Sequence, residues 1–231
     1  MRRVVPGLLL IGLLAAAPTE AATLNAVDSG WYTSAGSHTA VNDNYVVGEL
    51  SGVVYRNFFV FDLTGVSETI TSASVLLYNP TNTTPGLRGY ISPDPTETFG
   101  LFDVSTPIAT LSASSASGSA VGIGVFADLG TGVAFGEQVV SAADNGAVVS
   151  VALNASGIAA LNAARGGLFD LGGALTTLGS VEDERVFGFS VALGNPDVRQ
   201  LQFETAAVPE PSTLALLASA MVLAVRRRSR G

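Results

Sequence analysis

The strongest structural signal in this sequence is VVYRNFFVFDL, residues 53–63. Its apolar side chains occupy both alternating sets of positions, with Phe59 and Phe61 in one set and Phe58 in the other. Successive side chains of a β-strand point to opposite faces of the sheet. We therefore expect a strand that is apolar on both faces, lies at the centre of a sheet and is covered on both sides.

Further strands are predicted around this segment from apolar and β-branched runs bounded by Gly, Ser, Asn and Pro. Residues 199–204 alternate cleanly, with Leu201 and Phe203 expected to point inward. This pattern is typical of an antiparallel sheet with one solvated face. The segment 28–39 is instead rich in turn residues. The remaining candidate strands are residues 45–48, 70–78, 99–104, 108–111, 123–129, 136–140, 147–153 and 185–193.

One short helix is predicted near 155–164. Asn154 is a good N-cap, because its side-chain oxygen can accept a free backbone N–H of the first turn. Gly166 can adopt the left-handed conformation that ends a helix. About ten strands and one helix predict an all-β fold, an antiparallel two-sheet β-sandwich of jelly-roll type.

The start of the chain has the plan of a secretory signal peptide. Basic residues at Arg2 and Arg3 precede an apolar segment at 4–17 and then small residues. The best cleavage point for signal peptidase is after Ala21, which implies export by the Sec machinery. We expect a signal helix within residues 1–21.

The other end of the chain carries an apolar run at 213–225. As a helix this run would cover roughly 20 Å, against a hydrocarbon core of about 30 Å. The positive-inside rule keeps the arginines after it in the cytoplasm. We therefore expect a membrane helix that anchors the chain only transiently. The arginines are Arg226, Arg227, Arg228 and Arg230.

The motif before that run carries a family resemblance. Val208-Pro209-Glu210-Pro211-Ser212, followed by a short apolar segment and an Arg cluster, resembles the PEP-CTERM sorting signal of bacterial exosortase substrates. The same tail resembles the C-terminal domain described for ice-binding proteins. The first resemblance implies processing near 209–211 by an exosortase-like membrane transpeptidase, then delivery to the cell surface or extracellular matrix.

The predicted organisation has three parts. Residues 1–21 are the signal peptide, and residues 22–207 are one extracytoplasmic β-sandwich domain. Residues 208–231 are the sorting signal, made of the motif 208–212, the transmembrane segment 213–225 and the Arg-rich tail 226–231.

A second resemblance concerns the fold of the middle domain. Residues 55–63 and 70–78 are similar to a pattern of carbohydrate-binding-module-like jelly rolls. In that pattern, an Arg-bearing apolar strand ending in Phe-Asp-Leu precedes an Ile-x-Ser-Ala strand. The resemblance implies the fold more than any sugar specificity.

Composition excludes several classes of function. The chain has no Cys and no Lys, so a disulfide framework and thiolate chemistry are absent. Between the two targeting segments, five Arg face seventeen acidic residues, a formal charge near −12. So acidic a domain is not a nucleic-acid binder, because phosphates require a basic surface. We predict no cofactor and no metal.

Few residues suggest chemistry. The only His is His38, in a Gly/Ser-rich segment where a solvated loop residue is the simpler interpretation. Arg56 is expected to pair with a carboxylate at the sheet edge. The aromatic pair Trp31 and Tyr32 offers candidate glycan contacts, although packing is the simpler role.

Acidic residues leave two further alternatives open. Asp62, Asp103 and Asp128 could form a carboxylate pair of the glycosidase type, but Asp at strand ends usually accepts turn N–H groups. The run 182–184, Glu-Asp-Glu, could help to bind Ca²⁺, although a solvated acidic turn explains it equally.

These observations favour an exported, non-enzymatic protein of the cell surface or extracellular matrix, with a structural or adhesive role. The alternative is a carbohydrate-binding module for exopolysaccharide, which would then be a partner. A third alternative is a glycan-active hydrolase.

Overall fold

The computed structural model describes residues 21–81, 89–179, 183–188 and 196–206. One compact unit spans Ala21–Thr205. Its strands are β1 Ala21–Thr33, β2 Val47–Leu50, β3 Val53–Asp62, β4 Ile70–Asn79, β5 Glu97–Phe102, β6 Ala134–Val140, β7 Ala147–Ala152, β8 Leu168–Leu175, β9 Glu184–Val186 and β10 Arg199–Thr205. Its helices are α1 Ile108–Leu111, α2 Ala120–Asp128, α3 Ala155–Ala164 and a 3₁₀ turn at Ala142–Asp144.

The ten strands form one antiparallel sheet in the order β6-β5-β8-β3-β1-β10-β4-β7, with β2 paired to β3 and to β9. Strand β1 joins the two halves of this sheet. Its first part, 21–25, pairs with β10, and its second part, 26–33, pairs with β3. The predicted two-sheet sandwich is therefore not confirmed, because one long strand with a register shift between Ala26 and Asp28 connects both halves.

The two ends of the strand order come close to each other. The backbone N–H of Asn154, just after β7, donates to the carbonyl of Phe135 in β6 at 2.6 Å. The sheet is thus nearly closed, which leaves few open backbone groups at its edges.

Strand β3 has the position expected from its sequence. It lies between β1 and β8 and is apolar on both faces. Phe59 and Phe61 belong to the main core, whereas Phe58 and Val60 belong to a second apolar cluster on the opposite face. The prediction of a central, doubly covered strand is confirmed.

Helices α1 and α2 cover that second face of β3, and here the strand predictions for 108–111 and 123–129 are wrong. Leu111, Val125 and Leu129 are buried in the second cluster. The side chain of Ser119 caps α2 by accepting from the Gly122 N–H at 3.3 Å. The periodicity of a short apolar run does not distinguish a strand from a helix. Here the run forms a helix whose apolar residues pack on the second face of β3.

Two further predictions need correction. Residues 28–33 are not a turn but the second part of β1. Within the described part of the strand predicted at 185–193, β9 ends at Val186, since Phe187 has a left-handed φ of 63°. Residues 189–193 lie outside the described ranges.

Helix α3 agrees with its prediction at both ends. The side chain of Asn154 accepts from the N–H groups of Ser156 (2.9 Å) and Gly157 (3.1 Å). Gly166 has a φ of +79° just after the helix. Strand β10 is also confirmed, with Leu201 and Phe203 buried.

Candidate functional site

The two residues of the predicted aromatic pair, Trp31 and Tyr32, lie in different environments. Tyr32 is only 1% exposed, and its hydroxyl lies 3.0 Å from the carbonyl oxygen of Leu111. Burial, and to a smaller extent the charge of Asp28, raises the pKa of Tyr32 to about 12. Trp31 is half-buried and packs edge-to-face on Tyr55, with ring centroids 5.1 Å apart. Of the two predicted glycan contacts, Trp31 therefore retains an exposed surface.

His38 is buried rather than solvated, which corrects the loop interpretation. It stacks on Tyr32 with ring centroids 4.5 Å apart, and its Nδ1 lies 2.9 Å from the carbonyl oxygen of Trp31. A carbonyl can only accept, so Nδ1 carries the proton and donates. Burial lowers the pKa of His38 and favours the neutral ring. The segment 34–38 is thereby held against β1.

The three candidate carboxylates each accept hydrogen bonds from a different turn. Asp62 accepts from the Thr64 N–H at 2.9 Å, and Asp103 from the Val133 N–H at 2.5 Å. Asp128 accepts from the backbone and hydroxyl groups of Ser105 and Thr106 at 2.7–2.9 Å. Burial opposes ionisation of Asp128, but these hydrogen bonds outweigh it and lower its pKa. The structure thus places these groups in turn-stabilising contacts.

Arg56 was expected to pair with a carboxylate, but among the described residues it forms no ion pair. Its guanidinium donates to the carbonyls of Phe126 (3.0 Å) and Ala127 (2.9 Å), and lies 4.5 Å from the centre of the Phe126 ring. Both carbonyls belong to the last turn of α2, where carbonyls have no N–H partner further along the helix; that of Ala127 also accepts from the Thr131 hydroxyl at 3.1 Å. Arg56 therefore fastens the C-terminus of α2 to β3.

Asp170 in β8 is an unusual carboxyl that sequence reasoning missed. Its Oδ2 is buried with no hydrogen-bond partner among the described residues. Burial, and to a smaller extent the charge of Asp128, raises the pKa of Asp170 from 3.8 to about 6. An Asp in a strand has no local sequence signal for such a shift, because the cause is the surrounding packing.

We expect Asp170→Asn to stabilise the protein at neutral pH. Because the folded-state pKa is raised, the folded form holds its proton more tightly than the unfolded form. The protonated carboxyl of Asp170 therefore contributes stability to the folded form. This contribution is present below about pH 4 and is lost as the pH rises through about 6. Asp170 as a whole residue is only half-buried, so solvent screens part of this effect. We therefore expect Asp170→Asn to raise the free energy of unfolding by about 1 kcal/mol at pH 7. Thermal unfolding between about pH 4 and 8 measures it.

The control for this prediction is Asp62→Asn. The hydrogen bonds from Thr64 lower the pKa of Asp62, so this variant should not gain stability at neutral pH. A similar rise in Tm for both variants, or no rise for Asp170→Asn, would contradict the proposed cause.

The residues of the predicted acidic run 182–184 have different surroundings. Glu182 lies outside the described ranges. Asp183 pairs with Arg185 at 3.0 Å and accepts from the Ser51 N–H at 2.7 Å. Glu184 is fully buried and lies close to Asp94 and Glu97, two residues that sequence reasoning did not connect with it. Glu184 is far from Asp94 and Glu97 in the sequence, so no local motif could have revealed the cluster.

A groove of about 750 Å³ lies along β4, β10 and α3, away from the Trp31–Tyr55 pair. Both apolar and polar side chains line it, and the polar ones include Ser72, Ser74, Gln202 and Glu204. An exposed hydrogen bond of 3.2 Å joins Ser72 to Glu204 across this surface. The groove offers hydroxyl and carboxylate groups but no exposed aromatic ring.

The described residues contain no helix that is long and apolar enough to cross a membrane. The signal segment 1–20, the sorting motif 208–212, the apolar run 213–225 and the arginines after it all lie outside the described ranges. Ala21, the predicted cleavage residue, is the first residue of β1. The predicted domain boundaries and cleavage site therefore stay predictions.

A known family model matches the C-terminal end of this chain. No curated protein matches the chain. Residues 207–229 match the family model described as the PEP-CTERM protein-sorting motif, which confirms the sorting prediction and adds nothing on ice binding or carbohydrate binding. The motif implies processing by exosortase, a membrane enzyme, and marks the chain as an exported protein that is briefly anchored at the membrane before processing.

Proposed function

We propose that this chain is a non-enzymatic, structural component of the cell surface or extracellular matrix. The observation that carries the proposal is the PEP-CTERM motif at 207–229. It directs an exported domain to a membrane enzyme that processes the tail. The strongly acidic, nearly closed β-domain suits a soluble product outside the cell.

The non-enzymatic part of the proposal is supported by the roles of the reactive side chains. His38 is buried and donates to a backbone carbonyl. Asp62, Asp103 and Asp128 each accept hydrogen bonds from a turn. A general base must reach a substrate proton within hydrogen-bond distance, and groups bonded to their own backbone are poorly placed to do so.

The test is the intact mass of the protein recovered separately from membranes and from the medium. We expect a product that ends near 209–211, with or without an added surface molecule. A chain that keeps residues 212–231 in every fraction would overturn the proposal and indicate a plain membrane anchor.

A polysaccharide-binding module is the second candidate, favoured by the half-exposed Trp31–Tyr55 pair. Aromatic faces stack on sugar rings. We expect Trp31→Ala to weaken retention on the cell's own exopolysaccharide about tenfold without a change in fold, whereas Tyr55→Phe, which keeps the ring, should bind normally. Retention unaffected by Trp31→Ala would remove this candidate.

A further inference from the structure

Three carboxylates from two separate segments of the chain meet beside β5 and β9. Glu97 is the first residue of β5, Glu184 is the first residue of β9, and Asp94 lies in the loop before β5. Each offers an oxygen that lies within 4.8 Å of the oxygens of the other two. Glu97 and Glu184 are both 0% exposed, whereas Asp94 is exposed. The cluster is therefore buried at its base and open at one side.

Backbone pairing holds the cluster together. Ile91 and Arg185 exchange two hydrogen bonds, of 2.9 Å and 2.7 Å, which fasten the loop before β5 to β9. The hydroxyl of Ser92 donates to Glu97 at 2.7 Å, and the hydroxyl of Thr177 donates to its other oxygen. The carboxylates are thus positioned by the sheet rather than by flexible side chains alone.

The negative charge of this cluster is not balanced by arginine in the part of the chain that the structure covers. The neighbouring Arg185 pairs with Asp183 instead. A further acidic residue, Glu49, is the cross-strand partner of Glu184 and is 6% exposed. Buried carboxylates are costly unless a cation or a proton compensates them, and like charges on facing strands repel.

An independent observation concerns the hydrogen bonds of Glu184. Its Oε2 accepts from the Gly179 N–H at 3.1 Å. Its Oε1 is buried and has no hydrogen-bond partner among the described residues. A carboxyl oxygen buried in this way lacks the hydrogen bonds that native proteins almost always supply. Glu184 therefore has one buried oxygen, Oε1, with unused capacity to accept a ligand.

We propose that Asp94, Glu97 and Glu184 bind a divalent cation of the calcium class. Calcium takes oxygen ligands at 2.3–2.6 Å, so ligands on opposite sides of the ion are about 4.6–5.2 Å apart. The spacing in the cluster agrees with this limit. The ligand set has only oxygen donors, which favours calcium or magnesium over the transition metals that prefer imidazole and thiolate.

The cation would join the loop before β5 to β9. Asp94 at the open side provides access from solvent, and the buried pair provides the base of the site. The sheet already positions both glutamates. Cation binding should therefore stabilise this edge of the domain, but the edge should fold without the cation. The proposal concerns a site in the domain and does not depend on the fate of the tail.

The test uses the full chain in detergent, treated with EDTA and then titrated with calcium or terbium. Terbium occupies calcium sites, and a nearby Tyr sensitises its emission. The hydroxyl of Tyr90 lies 2.6 Å from the backbone carbonyl oxygen of Asp94. We expect terbium emission on Tyr excitation, competed by calcium, and a rise in Tm of roughly 5–10 °C at calcium about 100-fold above Kd.

The decisive variant is Asp94→Asn, because Asp94 is exposed and its replacement leaves the buried pair intact. We expect its calcium affinity to fall at least about tenfold, with Glu184→Gln giving a similar or larger loss. Glu137→Gln removes the same charge from the exposed side of β6 and should bind as the unmodified chain does. The proposal is overturned if neither ion changes Tm or emission, or if Asp94→Asn loses less than about tenfold.

Discussion

Removal of residues 208–231 is expected to abolish exosortase processing and membrane anchoring of this protein completely. The PEP-CTERM motif lies wholly within this segment apart from Ala207. Without the apolar run 213–225 the chain has no C-terminal segment to hold in the bilayer. The truncated protein should accumulate in the soluble exported fraction, as measured by fractionation and intact mass.

The arginines at 226–228 provide matched variants for this prediction. Replacing all three by Lys keeps the positive charge on the cytoplasmic side, so processing should continue. Replacing all three by Glu removes the charge bias, so stable anchoring and processing should be lost. Normal localisation of the truncated chain, or equal behaviour of the Lys and Glu variants, would contradict the sorting mechanism.

Phe59→Ala is expected to have the largest effect on stability. Phe59 is 0% exposed, lies in the middle of β3 and packs near Tyr45, with ring centroids 6.0 Å apart. The substitution removes buried apolar surface and leaves a cavity in the main core. We expect a loss of about 3–5 kcal/mol in the free energy of unfolding, measured by denaturant titration.

A control for Phe59→Ala is available on the protein surface. Val139 in β6 is 54% exposed. Val139→Ala should change the free energy of unfolding by no more than about 0.5 kcal/mol. A loss below about 1 kcal/mol for Phe59→Ala would mean that β3 does not form the centre of the core.

The parts of the fold that were predicted correctly have signals within a few neighbouring residues. The apolar residues on both parities of 53–63 indicate a central strand, and alternation in 199–204 indicates a strand with one wet face. Asn154 and Gly166 mark the two ends of α3 through local hydrogen bonding and backbone conformation. Such signals act over one or two turns, so they are visible without the rest of the chain.

The parts that were missed depend on partners distant in sequence. Helix α2 replaces the expected strand because its apolar residues must cover the outer face of β3. Tyr32 differs from Trp31 because alternate residues of β1 point to opposite sides of the sheet. Arg56 meets helix carbonyls rather than a carboxylate because α2 ends beside it.

The amino-acid sequence by itself identified an exported protein that is briefly anchored at the membrane before processing, because the sorting motif at 207–229 is one continuous segment of the chain. It also indicated a mostly β fold through short-range periodicity. Only the tertiary structure brought Asp94 and Glu97 to Glu184, because the pairing of Ile91 with Arg185 joins segments that are far apart in the chain. Charge, burial and hydrogen bonding at such a cluster are properties of that contact, and no single segment of the sequence contains them.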